Sequence, residues 1–134
     1  MIYPALIDTV GDVGSIIGST ATTKMALGFM AMEFKAITSH WVEIASAWVA
    51  SIVMFVFYTF ASSLVYGIET FPGLLSEVIT TNLIVVPIII IISFGTAIIT
   101  RNRGLDPDNF IIPIETSISD GLTTIGLLIA LLLI

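Results

Sequence analysis

The sequence contains no cysteine and one histidine, His40, and charged residues make up only 10% of its 134 residues. Without cysteine, the chain forms no disulfide and offers no thiol nucleophile or thiolate ligand for an iron–sulfur cluster. A single histidine does not supply a multi-histidine metal site within one protomer. The composition therefore argues against thiol chemistry and against zinc or copper binding.

Basic residues are also scarce: four Lys and Arg stand against ten Asp and Glu, for a net charge of −6. The bases fall into two pairs, Lys24 with Lys35 and Arg101 with Arg103, which are too few to follow a phosphate backbone. We therefore expect no nucleic-acid partner. The first ten residues carry no base and so lack the positive region of a cleaved signal peptide. We expect the N-terminus to be retained.

Hydrophobic residues, by contrast, are abundant: they make up 57% of the chain, and the mean hydropathy is +1.11. A water-soluble surface needs more charge than this. Charged breaks divide the chain into four apolar blocks, each of at least the roughly 20 residues that a membrane helix needs. The blocks cover about residues 2–32, 41–67, 74–100 and 110–134. They lack the polar–apolar alternation of barrel strands. The sequence predicts an all-α fold, a polytopic transmembrane bundle of about four membrane helices, in one domain over residues 1–134.

The positions of the bases predict the orientation of this bundle. Lys24 and Lys35 flank the first break, Arg101 and Arg103 lie in the third, and the middle break is acidic. The positive-inside rule then places the first and third loops in the cytoplasm and both termini outside. We expect a multi-pass protein of the plasma membrane, in contact with lipid. An outward N-terminus without a signal peptide further suggests that a preceding helix is missing or is supplied by another segment.

Three carboxylates inside the apolar blocks are the first candidates for a functional site. Asp8 and Asp12 lie four residues apart, on one face of a helix. Asp120 lies near the middle of the last block with Thr116 one turn before it. An ionisable group inside a bilayer costs about 2.5–3.5 kcal/mol on insertion scales, so such a residue suggests a function. Glu115 ranks lower, because five residues place it about 140° round the helix from Asp120.

The chemistry of these side chains indicates a hard cation. Carboxylates, threonine hydroxyls and backbone carbonyls suit magnesium, calcium or manganese. We predict that Asp120, Asp12, Asp8 and Thr116 bind a divalent cation. The alternative for Asp120 is a protonated carboxyl hydrogen-bonded to Thr116 or Thr124. The alternative for Asp8 and Asp12 is that both reach the membrane interface near the chain start.

Two segments resemble the membrane domain of the MgtE family of magnesium channels and transporters, which includes animal solute-carrier relatives. In the first, Pro4 is followed by the small-residue stretch 9–14, reading TVGDVG, and by the Ser/Thr-rich run 19–23. In the second, the turn GLDPDN at 104–109 precedes Pro113 and the run TSISD at 116–120. The second segment is the more specific, and the resemblance spans essentially the whole chain.

The resemblance implies a dimeric pore that conducts magnesium as the transported and bound ion. In the family, the pore forms between protomers from helices that correspond to the first and fourth blocks. The last-helix aspartate, Asp120 by motif, then faces a hydrated magnesium ion. Asp12 stands where the family often has asparagine, which adds a charge. The family's first membrane helix and the cytoplasmic sensor domains of its bacterial members have no counterpart in this sequence.

Three functions are consistent with these features. The first is a passive or gradient-coupled divalent cation channel or transporter, formed by a homodimer or with a paired half. The second is a transporter in which buried carboxylates exchange protons for the cation. The third is an accessory or half-transporter subunit whose carboxylates pair with the bases of a partner chain. We expect no enzyme, because the sequence has no Ser/His/Asp arrangement and no HExxH motif.

Overall fold

The computed structural model describes residues 2–134 and consists of four long α-helices joined by short connections. These helices are α1 (Tyr3–Ala26), α2 (Trp41–Tyr66), α3 (Phe71–Asn102) and α4 (Asp108–Leu133). Single 3₁₀ segments, Phe34–His40 and Ile68–Thr70, precede α2 and α3. No strand occurs within the described residues. The prediction of an all-α helix bundle is confirmed.

Helix α1 is shorter than the predicted block 2–32, because a glycine ends it. Gly28 has a φ of 76°, which glycine adopts at little cost. The Phe29 N–H donates to the Lys24 carbonyl at 2.9 Å and the Gly28 N–H to the Met25 carbonyl at 3.3 Å. These are the two hydrogen bonds of a Schellman motif, which closes the C-terminus of a helix. The residues from 27 to 32 therefore belong to the first loop.

Two prolines lie inside helices without interrupting them. Pro87 lies within α3 and Pro113 within α4. A proline removes one backbone donor, but membrane helices tolerate it because neighbouring groups can satisfy the freed carbonyl. The predicted blocks 74–100 and 110–134 therefore each correspond to one helix that continues through its proline.

Three of the helical segments within residues 2–134 are long and apolar enough to cross a membrane. They cover residues 34–66, 68–102 and 108–133. Helix α1 has 24 residues, which is sufficient length, but it carries Asp8, Asp12 and Lys24 among many small polar residues. It is therefore the most polar of the four helices. A helix of this kind is compatible with a bilayer only when other helices or enclosed water cover its polar face.

Helices α1 and α3 form the centre of the bundle, since each packs against all three other helices. Fully buried apolar side chains from each helix meet there, including Ile17 of α1, Phe55 of α2, Phe94 of α3 and Ile111 of α4. Helix α2 also exposes a row of large apolar side chains, among them Val49, Val53 and Phe57. Such a surface suits the lipid phase.

A buried polar cluster joins α2 to α3. The Trp48 indole N–H donates to Asn82 Oδ1 at 2.9 Å, and Asn82 Nδ2 donates to Ser51 Oγ at 3.0 Å. Asn82 is fully buried. Polar side chains that bond across helices stabilise membrane bundles. Asn82 thus joins two helices.

The two basic loops lie at the same end of the bundle. Asn102 Nδ2, at the end of α3, donates to the Met32 carbonyl in the first loop at 3.2 Å. At this end Lys24 also forms an ion pair with Glu43. The orientation predicted from the loop charges requires both basic loops to lie on one side of the membrane, and the fold is compatible with this requirement.

Candidate functional site

A groove of about 250 Å³ runs between α1 and α4 on the surface of the bundle. It is lined by Ile7, Asp8, Gly11, Asp12 and Ser15 of α1 and by Ile112, Glu115, Thr116, Ser119 and Asp120 of α4. The groove contains four carboxylates and three hydroxyls, and no base lines it. It thus brings together the four residues that the sequence singled out.

Glycines of α1 allow the two helices that form the groove to approach closely. A Cβ atom built on Gly11 would lie 3.5 Å from Ser119 Oγ, and one built on Gly18 would lie 2.9 Å from a methyl group of Ile111. Positions rise along α1 as they fall along α4, so the helices run antiparallel. The GxxxG spacing of Gly14 and Gly18 therefore serves helix packing.

The predicted ligands lie on the outward side of this groove. Asp8, Asp12, Thr116 and Asp120 are all exposed in the single chain. Asp8 and Asp12 follow one face of α1, while Thr116 and Asp120 follow one face of α4, one turn apart. An outward face with three carboxylates and no base is unusual for a helix bundle in lipid.

The hydroxyls near Asp120 do not hold its carboxylate. The Thr116 hydroxyl donates to the Ile112 carbonyl at 2.7 Å. The Thr124 hydroxyl donates to the backbone carbonyl of Asp120 at 2.6 Å and also contacts the Tyr3 hydroxyl. Both threonines therefore bond to groups other than the carboxyl of Asp120.

Glu115 occupies a different position from the other three acids, because it points into the bundle. Its side chain is buried, with 1% of its surface exposed. Oε1 accepts a hydrogen bond from the Ser93 hydroxyl of α3, while Oε2 has no hydrogen-bond partner among residues 2–134. The carboxylate lies where a side chain of Gly14 would stand. Glu115 therefore sits at the contact of α1, α3 and α4, on the inner wall of the groove.

Sequence reasoning placed Glu115 apart from Asp120 because it compared directions around one helix only. The angle of about 140° between Glu115 and Asp120 holds on a regular helix. Both residues nevertheless line the groove, because the groove lies at the edge of α4 rather than on its outer face. The available signal was the glutamate's place in the buried series 111, 115, 119 and 123 of α4.

The acids of one chain do not form a compact metal cage. Within residues 2–134, no three His, Cys, Asp or Glu side chains lie close enough together to hold a metal ion. The carboxylates are spread along the groove instead.

Comparison with known families identifies the family of the chain. The family model described as MgtE, divalent cation transporter, matches residues 3–130 and thus spans all four helices. No match was found among curated proteins or among solved structures. The matched family is one of transporters rather than of enzymes, and its cargo is a divalent cation. The match over residues 3–130 shows that the chain belongs to the MgtE family of divalent cation transporters.

Proposed function

We propose that this protein carries magnesium across the plasma membrane along the groove between α1 and α4, with a second copy of the chain closing the groove. The observation that carries the proposal is the outward face on which Asp8, Asp12 and Asp120 are exposed with no base among the lining residues. Magnesium is the cargo in this proposal, held by the site while it passes.

Energetics favour a covered, water-filled groove over a lipid-facing one. Each ionised carboxylate near the middle of a bilayer costs about 2.5–3.5 kcal/mol when lipid surrounds it. Asp120 is the thirteenth residue of the 26-residue α4, so it lies near mid-depth. A polar face at this depth is stable when protein and water replace lipid around it. A cation in the groove lowers the cost further.

A second copy of the chain is the simplest cover for this face. Closed two-fold symmetry is the commonest arrangement of homo-oligomers, and it places the same surface of both copies in contact. Two grooves then face each other, so each acid of the groove is present twice around one path. This doubling supplies the charge density that the acids of a single chain lack.

In this arrangement the exposed acids act on a hydrated ion. The carboxylates of Asp120, Asp12 and Asp8 accept hydrogen bonds from waters of the magnesium shell, and the Thr116 hydroxyl oxygen offers a neutral acceptor beside Asp120. Magnesium dehydrates reluctantly, so contacts through water let it bind and leave. The basic loops after α1 and α3 face the cytoplasm in this proposal.

Cation uptake into liposomes tests the proposal. The purified chain is reconstituted as wild type, Asp120→Asn and Glu33→Gln, and uptake of magnesium, calcium and manganese is measured. Glu33 is an exposed loop acid, so its variant is the matched control. We expect Asp120→Asn to lower magnesium uptake by about tenfold or more, which corresponds to about 1.4 kcal/mol.

Two results would contradict the proposal. Equal magnesium uptake by wild type and Asp120→Asn would show that Asp120 does not lie in the ion path. No uptake by the wild type would rule out a pathway formed by this chain alone and would favour an accessory or half-transporter subunit that needs a partner chain.

A further inference from the structure

We infer that Glu115 forms an inner cation subsite, where a divalent cation gives up water and binds the carboxylate directly. The subsite lies on the inner wall of the same groove, so the inference rests on the proposed function and deepens it. It assigns to Glu115 a ligand role distinct from that of the exposed aspartates.

The first argument is the unsatisfied oxygen. Glu115 is 99% buried, yet Oε2 has no hydrogen-bond partner within the described part of the chain. A buried carboxylate oxygen without a partner is costly, and native structures seldom keep one without a reason. Because Glu115 lines the groove, an ion in the groove can supply the missing partner.

The second argument is the fixed position of the carboxylate. The Ser93 hydroxyl of α3 contacts Oε1 and also lies 2.8 Å from the Ile89 carbonyl of its own helix, so one oxygen of the carboxylate lies against α3. The absent side chain of Gly14 leaves the space in which the carboxylate lies against α1. Three helices thus orient one carboxylate whose second oxygen lies against Gly14 and has no hydrogen-bond partner among the described residues. A ligand held in advance loses little conformational entropy on binding.

The third argument is the charge balance. The four acids of the groove are Glu115, Asp8, Asp12 and Asp120, and no base lines it. No titratable group of α3 lines this groove. Lys24, the only base of α1, forms an ion pair with Glu43 instead. No described protein group in the groove balances the charge of the buried carboxylate, and a bound cation would do so.

The donor set defines the class of ligand. Glu115 is joined in the groove by the hydroxyls of Ser15 and Ser119, so every donor is an oxygen. Such a set binds hard divalent cations. Direct ligation requires loss of water, which magnesium resists more than larger ions do. The inner subsite is therefore expected to hold manganese or calcium more tightly than magnesium.

Manganese binding to the full-length chain in nanodiscs tests the inference. The proteins are wild type, Glu115→Gln, Glu115→Asp and the loop control Glu33→Gln. Glutamine has nearly the same shape and its amide oxygen can still accept from Ser93, so it removes the charge with little disturbance of packing. We expect Glu115→Gln to weaken manganese binding by about tenfold or more, since the affinity of oxygen sites follows the number of charged ligands.

Infrared difference spectra on adding manganese provide a readout that a purely structural role would not change. Direct ligation shifts the carboxylate stretching bands, so the wild type should show a manganese-induced shift that Glu115→Gln lacks and Glu33→Gln retains. Glu115→Asp keeps the charge on a side chain one methylene shorter, and it should retain a displaced band. If Glu115→Gln does not fold, the spectrum of Glu115→Asp still decides the question.

The outcomes separate this inference from the proposed function. Manganese binding and carboxylate bands that are the same in Glu115→Gln and wild type would overturn the inner subsite, even if Asp120→Asn still abolishes uptake. A wild-type chain that shows the Glu115 band shift but no uptake would overturn the proposed function and leave the inner subsite supported. Absence of any manganese-induced shift in the wild type would also overturn the subsite.

Discussion

Replacing Gly14 by alanine tests the contact on which the inner wall of the groove depends. A Cβ atom at this position would lie 2.5 Å from Cδ and 2.8 Å from Oε1 of Glu115. Non-bonded carbon atoms prefer about 3.5–4.0 Å, so the carboxylate has to move. It is held by Ser93 and by burial, and a shift therefore forces it off its rotamer or breaks that hydrogen bond.

Two opposing effects determine how much Gly14→Ala changes the free energy of unfolding. Overpacking of a well-packed site costs about 1–3 kcal/mol. Alanine in place of a helical glycine gains about 0.5–1 kcal/mol. Gly73, in the first turn of α3, has no atom within 4 Å of a built Cβ, so Gly73→Ala has the gain without the clash. Gly14→Ala should therefore be less stable than Gly73→Ala by about 1–3 kcal/mol.

Equilibrium unfolding in mixed micelles measures this difference, with helix content followed by circular dichroism. A double-mutant cycle with Glu115→Ala identifies the cause, because removing the carboxylate should recover most of the cost of Gly14→Ala. Equal stability of Gly14→Ala and Gly73→Ala would refute the reasoning. Strict additivity in the cycle would show that the clash lies elsewhere.

Two further predictions concern contacts between helices. Asn82→Ala removes the hydrogen bonds to Trp48 and Ser51, and at about 0.6 kcal/mol for each bond across membrane helices it should lower the free energy of unfolding by about 1 kcal/mol. Stability equal to wild type in the same unfolding assay would contradict this. Lys24→Gln breaks the partly exposed ion pair with Glu43 and should cost less than about 1 kcal/mol. The cost should shrink further in high salt, and a salt-independent cost would argue against an ionic origin.

The all-α fold was predictable because few polypeptide structures accommodate long apolar blocks. A bilayer leaves the backbone no hydrogen-bond partner except its own, so blocks of this length become helices. The end of α1 was not predicted, because it depends on the positive φ of Gly28 rather than on hydropathy. By hydropathy, residues 27–32 continue the apolar block, whereas the Schellman motif ends the helix at Ala26.

The site was predictable where its residues share one helix face. Asp8 with Asp12, and Thr116 with Asp120, follow from spacing alone. The opposition of Gly14 and Glu115 depends on the register of two helices separated by most of the chain, and spacing within one helix carries no information about it. The contact between Glu115 and Ser93 of α3 could not be predicted from the sequence for the same reason. Asn82 joins α3 to α2 through contacts that its position in the sequence does not reveal.

Glu115 and Asp120 lie five positions apart on the continuous helix α4, and this separation has an electrical consequence. At 1.5 Å per residue their levels lie about 7.5 Å apart, roughly a quarter of a hydrocarbon core of about 30 Å. One charge that crosses the whole membrane gains about 2.3 kcal/mol per 100 mV, so a divalent ion that moves between these levels gains about 1.2 kcal/mol. In the proposed orientation Glu115 is the level nearer the cytoplasm. A negative interior therefore shifts the occupancy of the two levels toward Glu115 by about sevenfold per 100 mV.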